Sequence, residues 1–193
     1  NQFISDAAKA LTESGVFIAQ LMCLKNMMDT NDVGNICHEH LEFYSFHSLE
    51  YLFEHNGLEV FDVETNNVNG ASYRFFARKK GADVTPAEGA DERIARVRQD
   101  EEGLDDKKVH LEFFERLEAN KRKCVAFIKR EVAQGKKVWV YGASTKGNVI
   151  LQYYGLDHTL IEAAAERSPA KWGKYTVGSM IPCVSEEEAR KAQ

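Results

Sequence analysis

With 193 residues, 44% of them hydrophobic and 28% charged, the chain has the size for one large domain or two small ones, each burying its own core. A net charge of -5 and a pI near 5.7, with no basic stripe, argue against a nucleic-acid partner. No apolar run approaches the roughly 20 residues that span a bilayer, no signal-peptide pattern opens the chain, and Cys23, Cys37, Cys124 and Cys183 lack a disulfide-framework spacing, so a cytoplasmic protein with free thiols is expected.

The chain opens at Asn1, without Met, inside an amphipathic pattern of Phe3, Ile4, Ala7, Ala8 and Leu11 that predicts a helix ending near Ser14-Gly15. That start, and a fresh helix beginning at Ser185 with little room before Gln193, predict a fragment at both ends. Residues 16–22 form a continuous apolar run, as in a strand buried on both faces of a parallel sheet. A short helix over 24–29 leads into Cys37-His38-Glu39-His40. Ser45 or Ser48 can cap the next helix, whose apolar stripe is Leu49, Leu52 and Phe53 and whose stop is Asn56-Gly57. Residues 58–64 alternate apolar and charged, 66–70 turn and 71–78 run back, the pattern of an antiparallel pair. Residues 1–80 therefore read as the second half of an open α/β sheet that closes with an antiparallel edge.

Residues 81–90, with Pro86 and little periodicity, read as the start of a linker; 91–99 read as helix. A long helix follows from Asp106 to Gln134-Gly135, with Phe114, Leu117, Val125, Ile128 and Val132 on its apolar face and Cys124 as a buried small hydrophobe rather than a nucleophile. The linker and connecting helix thus occupy 81–135, and a second α/β domain 136–193. There, a strand over 138–141 enters the glycine turn 142–147, and a helix is read from Val149. Strand, glycine loop and helix N-terminus form a ready anion site, because unpaired N–H groups and the helix dipole both favour a phosphate. The turn has neither the Walker sequence, since Asn148 follows Gly147, nor a full GxGxxG. It reads as Rossmann-like, with Ser144, Thr145 and Lys146 as candidate phosphate contacts. A second strand over 160–166 would end in Glu166 at the place of a ribose-binding acid, although a strand-end glutamate is common by chance. The loop 168–179, with Lys171, Trp172, Lys174 and Tyr175, suits closure over an anionic ligand or is a solvated basic loop.

Cys37-His38-Glu39-His40 concentrates protonatable groups in a loop held between rigid elements, where chemistry is usually placed. His40 is the candidate base and Glu39 can orient it or its substrate. Three other readings stand beside this one: Cys37, His38 and His40 as metal ligands, although no CxxC or HxxxH completes a site; ordinary polar loop residues; or helix capping.

The run from Cys37 to Ser45 resembles the Tyr-His-Glu-His, Leu and aromatic-pair motif of the sugar C-methyltransferases, three-domain enzymes that use S-adenosylmethionine to methylate a carbon of a nucleotide-linked keto-hexose in deoxysugar biosynthesis. Tyr141 to Gly147 matches that family's Tyr-Gly-Ala-Ser-x-Lys-Gly turn, and Arg167 to Gly178 its Arg-x-Pro-x-Lys-x-Gly-Lys-Tyr-Thr-x-Gly run. The resemblance implies that residues 1–80 are the back half of the methyl-donor domain and 136–193 most of a Rossmann-like domain that helps to hold the sugar nucleotide. It places the zinc-binding domain, the first donor-domain strands and the S-adenosylmethionine glycine loop outside this chain, which alone should be catalytically silent. Within the chain it implies His40 as general base and Glu39 as the residue that orients the sugar or the base; His38 and Cys37 lie in the same motif, and Lys171 and Lys174 are candidate substrate contacts from the loop itself. Cys37 stands where the family has tyrosine, and a thiol is a weak hydrogen-bond donor, which bears on how a substrate carbonyl is polarised. The alternative is a non-catalytic nucleotide-sugar binding module.

Overall fold

The computed structural model describes residues 2–68 and 72–192. The chain forms two compact units: residues up to 32 with 42–113, and 33–41 with 114 onward.

In the first unit, three phenylalanines from separate elements meet: Phe17 on strand β1 (Val16–Met22), Phe53 on helix α3 (Phe46–Glu54) and Phe75 on strand β3 (Ser72–Lys79), with ring centroids 5.0 to 6.4 Å apart. Around them lie α1 (Gln2–Ala10), α2 (Leu24–Asp29), β2 (Leu58–Asn66) and α4 (Ala90–Asp100). The sheet order is β1-β3-β2, and both outer strands run antiparallel to β3. Two expectations are corrected here. The antiparallel strand is the middle of this sheet, with β2 at its margin. The apolar run of β1 is not buried on both faces: it alternates, with Val16 and Ile18 exposed and Phe17, Ala19 and Leu21 against the core. A strand sends successive side chains to opposite faces, and in this unit the core covers one of them. A bulge between Val60 and Asp62 puts Asp62 and Val63 both inside. The end of the expected Asn/Gly turn and the first residue of its return strand, 69–71, lie outside the described residues.

Phe46, Leu49 and Phe53 are buried at helical spacing, and Ser45 is the cap, its Oγ accepting the Ser48 N–H at 3.1 Å. A second acceptor serves the same helix end. Glu101, just past α4, takes the Phe46 N–H at 2.7 and 2.9 Å and the Tyr73 hydroxyl at 2.8 Å, and burial pushes the Tyr73 pKa up. Asp62, buried by the bulge, is held by Arg93 of α4 through two bonds of 2.6 and 2.8 Å.

Helix α5 (Lys107–Ala133) begins in the first unit and continues in the second. Its expected apolar face holds at Leu117, Ile128 and the half-buried Val125 and Val132, but Phe113 and not Phe114 is the buried phenylalanine. Cys124 is half-buried on the second core, and burial raises its thiol pKa.

The second unit carries β4 (Trp139–Tyr141), α6 (Thr145–Tyr154), β5 (Ala163–Glu166), β6 (Cys183–Ser185) and α7 (Glu186–Lys191), with the three strands parallel in the order β4-β5-β6. Ile128, Leu151, Leu156, Ile161, Ile181 and Cys183 form its core. Helix α6 starts at Thr145, four residues earlier than the apolar pattern implied, because Ser144 caps it by accepting the Gly147 N–H at 3.1 Å. No helix among the described residues is long and apolar enough to cross a membrane.

Candidate active site

The loop at 33–41 belongs to the second unit, although residues on both sides of it belong to the first. Its opening 3-10 turn, Val33–Asn35, is buried and packs against α6. The main-chain oxygen of Asn35 accepts two bonds, from the Cys37 N–H at 3.0 Å and from His40 Nδ1 at 2.8 Å. The Cys37 oxygen then accepts the His40 N–H at 3.0 Å, which closes a tight turn with His38 and Glu39 at its corner. Cys37 is half-buried; His38, Glu39 and His40 are exposed.

Across from this turn stand the first turns of α6. Asn148 Nδ2 donates to the Ser144 oxygen at 2.9 Å and its Oδ1 accepts the Val177 N–H at 3.1 Å, while Gln152 Nε2 donates to the Val177 oxygen at 3.0 Å. Two side-chain amides one helical turn apart thus grip a single residue of the 168–179 loop. A cleft of about 550 Å³ results, with Ile36, Cys37, His38 and Glu39 on one side, Thr145, Asn148, Val149 and Gln152 on another, and Val177 at its margin.

The cleft collects Cys37, His38, Glu39 and Thr145 from among the residues the sequence nominated. His40 is adjacent on the same turn but is not part of the lining, and neither are Ser144, Lys146, Lys171 and Lys174. The Ser144 hydroxyl is engaged as the helix cap. Lys171 Nζ donates to the Ala143 oxygen at 2.8 Å and to Glu166 at 3.2 Å, and Lys174 is exposed. Glu166, proposed above as a ribose ligand, is instead occupied inside the protein. It accepts the Ser168 N–H at 3.0 Å and the Ala143 N–H at 2.8 Å, and these backbone bonds, with Lys171, pull its pKa down to about 2. Gly142, at φ +90°, provides the sharp bend that aims the Ala143 N–H at this carboxylate. Among the described residues no group of three or more His, Cys, Asp or Glu side chains is arranged to hold a metal ion.

Sequence reasoning missed Asn148, Gln152 and Val177. The signal was present: two amide side chains at i and i+4 on the helix after a glycine turn, in a run otherwise apolar.

Comparison with known proteins bears on the same stretches. A family model described as the C-methyltransferase C-terminal domain matches residues 67–193. The chain is 33% identical over 189 residues to the C-methyltransferase NovU of Streptomyces niveus; the match takes in 98% of this chain and 44% of that protein, so the chain spans less than half of its relative's length. Since the model covers most of the chain, including the glycine turn and the loop that α6 grips, the chain belongs to the C-methyltransferase family.

Proposed function

We propose that this chain forms the substrate side of an S-adenosylmethionine-dependent C-methyltransferase that methylates the carbon next to the ketone of a nucleotide-linked keto-hexose. The observation that carries the reading is the cleft of the second unit, where the Cys37–Glu39 turn, the start of α6 and the 168–179 loop meet. Those are the three stretches on which the sequence resemblance rests.

A carbon beside a ketone becomes nucleophilic when a base removes its proton. In this reading His40 takes that proton, Glu39 orients the sugar, and His38 and Cys37 line the approach. Thr145 is the leading phosphate contact because it lies on the cleft wall. Lys146 and Lys174 supply further positive charge, while Ser144 and Lys171 hold the turn in shape.

Glu166, the strand-end acid of the second unit, is committed to two backbone amides and a lysine and is not a contact for the sugar nucleotide in this reading. The resemblance assigns the methyl donor, and the zinc, to sequence outside these residues, and the part assigned to this chain is proton removal and substrate orientation.

His40→Ala in the full-length enzyme is expected to slow methylation of the keto-sugar by at least about 100-fold, the low end of general-base contributions. Product formation followed by mass spectrometry reads this out. An unchanged rate would remove His40 as the base and favour the second reading, a nucleotide-sugar binding module. That reading draws on the strand, glycine turn and capped start of α6, where the helix dipole favours an anion.

A further inference from the structure

A neutral histidine can be a base only at the ring nitrogen that lacks a proton, and the loop around His40 selects which nitrogen that is. His40 Nδ1 lies 2.8 Å from the main-chain oxygen of Asn35. A carbonyl oxygen accepts hydrogen bonds and cannot donate them, so Nδ1 carries the hydrogen and the lone pair of the neutral ring is on Nε2. A ring turned over would offer the carbonyl a C–H and forfeit the bond. The acceptor is itself held still. Asn35 is 2% exposed, in the 3-10 turn packed on α6, and its oxygen uses its other lone pair on the Cys37 N–H at 3.0 Å. The backbone of His40 is fixed as well, through its N–H to the Cys37 oxygen at 3.0 Å.

We infer that Asn35 is a positioning residue for His40: its main-chain carbonyl holds the imidazole as the Nδ1–H tautomer, so that the lone pair that receives the substrate proton is on Nε2. This rests on the reading of His40 as base. The C–H proton passes to Nε2 and its electron pair stays on the substrate as the enolate. The ring becomes an imidazolium whose Nδ1–H still donates to Asn35, which stabilises the new positive charge, and Nε2 later returns the proton to solvent. An imidazole free in water favours the opposite tautomer, so the arrangement has a distinct signature.

Long-range proton–nitrogen NMR correlation on the 15N-labelled chain, at about pH 8.5 and well above the ordinary histidine pKa of about 6.5, reads the tautomer of each ring. His40 should show an N–H type Nδ1 and a lone-pair type Nε2. His110 is an internal reference of the opposite kind, because its Nε2 donates to the Leu104 oxygen at 2.8 Å. An Nε2–H pattern at His40 overturns the inference whatever the rate of His40→Ala proves to be. One variant of the full-length enzyme separates the base role from plain loop support. His40→Asn keeps an N–H donor at the Nδ1 place and should retain the melting temperature while losing kcat as His40→Ala does. A His40→Asn enzyme with normal kcat overturns the base reading, and the positioning role with it. The Nδ1–H pattern combined with full turnover in His40→Ala overturns the base reading, and the positioning role with it.

Discussion

Glu166 sits where a ribose-binding acid would sit and is used for something else. Its carboxylate ties the glycine turn to the start of the 168–179 loop, and Trp172 Nε1 donates to its main-chain oxygen at 2.8 Å. Because the folded protein holds this pKa at about 2 against an ordinary 4.5, the stabilisation is complete above about pH 4.5 and is lost as the pH falls toward 2. Glu166→Gln should remove about 1.5–3 kcal/mol at neutral pH, the range for hydrogen bonds to a charged group. It should also flatten the acid dependence of the melting temperature between those pH values. The two tryptophans, Trp139 and Trp172, both belong to the second unit, so their fluorescence follows the relevant transition. Equal acid sensitivity of wild type and variant would show that the carboxylate is not what the acid removes. No single residue carried this role in the sequence: a glutamate at a strand end looks the same whether it faces a ligand or its own backbone.

At the scale of elements, the helix stripes and caps were legible because they depend on residues within a turn or two of each other. The stripe of α3, the Ser45 cap and the bounds of β1 and α2 follow from local spacing. The second acceptor at the start of α3 was not legible, since Glu101 lies 55 residues from the Phe46 N–H it receives. Glu101→Ala leaves that N–H and the Tyr73 hydroxyl buried without their acceptor, at about 1–3 kcal/mol for each group. The urea midpoint followed by far-UV circular dichroism should fall, with Glu101→Gln between variant and wild type. A midpoint equal to wild type would mean that Ser45 alone secures the helix end. The start of α6 teaches the same lesson at shorter range. Apolar periodicity begins at Val149, but the helix begins where Ser144 can satisfy its first N–H groups, so cap chemistry set the boundary.

For the whole chain, the reading separates two binding functions. Calorimetry should show dTDP binding to these 193 residues and no binding of S-adenosylhomocysteine, because the resemblance places the glycine loop that holds the methyl donor in sequence outside them. Binding of S-adenosylhomocysteine at micromolar affinity would overturn the assignment of the methyl donor to sequence elsewhere. The amino-acid sequence by itself determined the α/β character, the order of the elements and the family, because periodicity, caps and short motifs are written in neighbouring residues. Only the tertiary structure decided which motif residues work together. Strand order put β3 between β1 and β2, and packing on α6 brought the Cys37–Glu39 turn to Thr145, more than a hundred positions later. Internal hydrogen bonds then divided the nominated residues, drawing Ser144, Lys171 and Glu166 into the scaffold and leaving Cys37, His38, Glu39 and Thr145 on the cleft. Such divisions depend on partners distant in sequence, and a polar side chain shows its role only when the groups within about 3 Å of it are known.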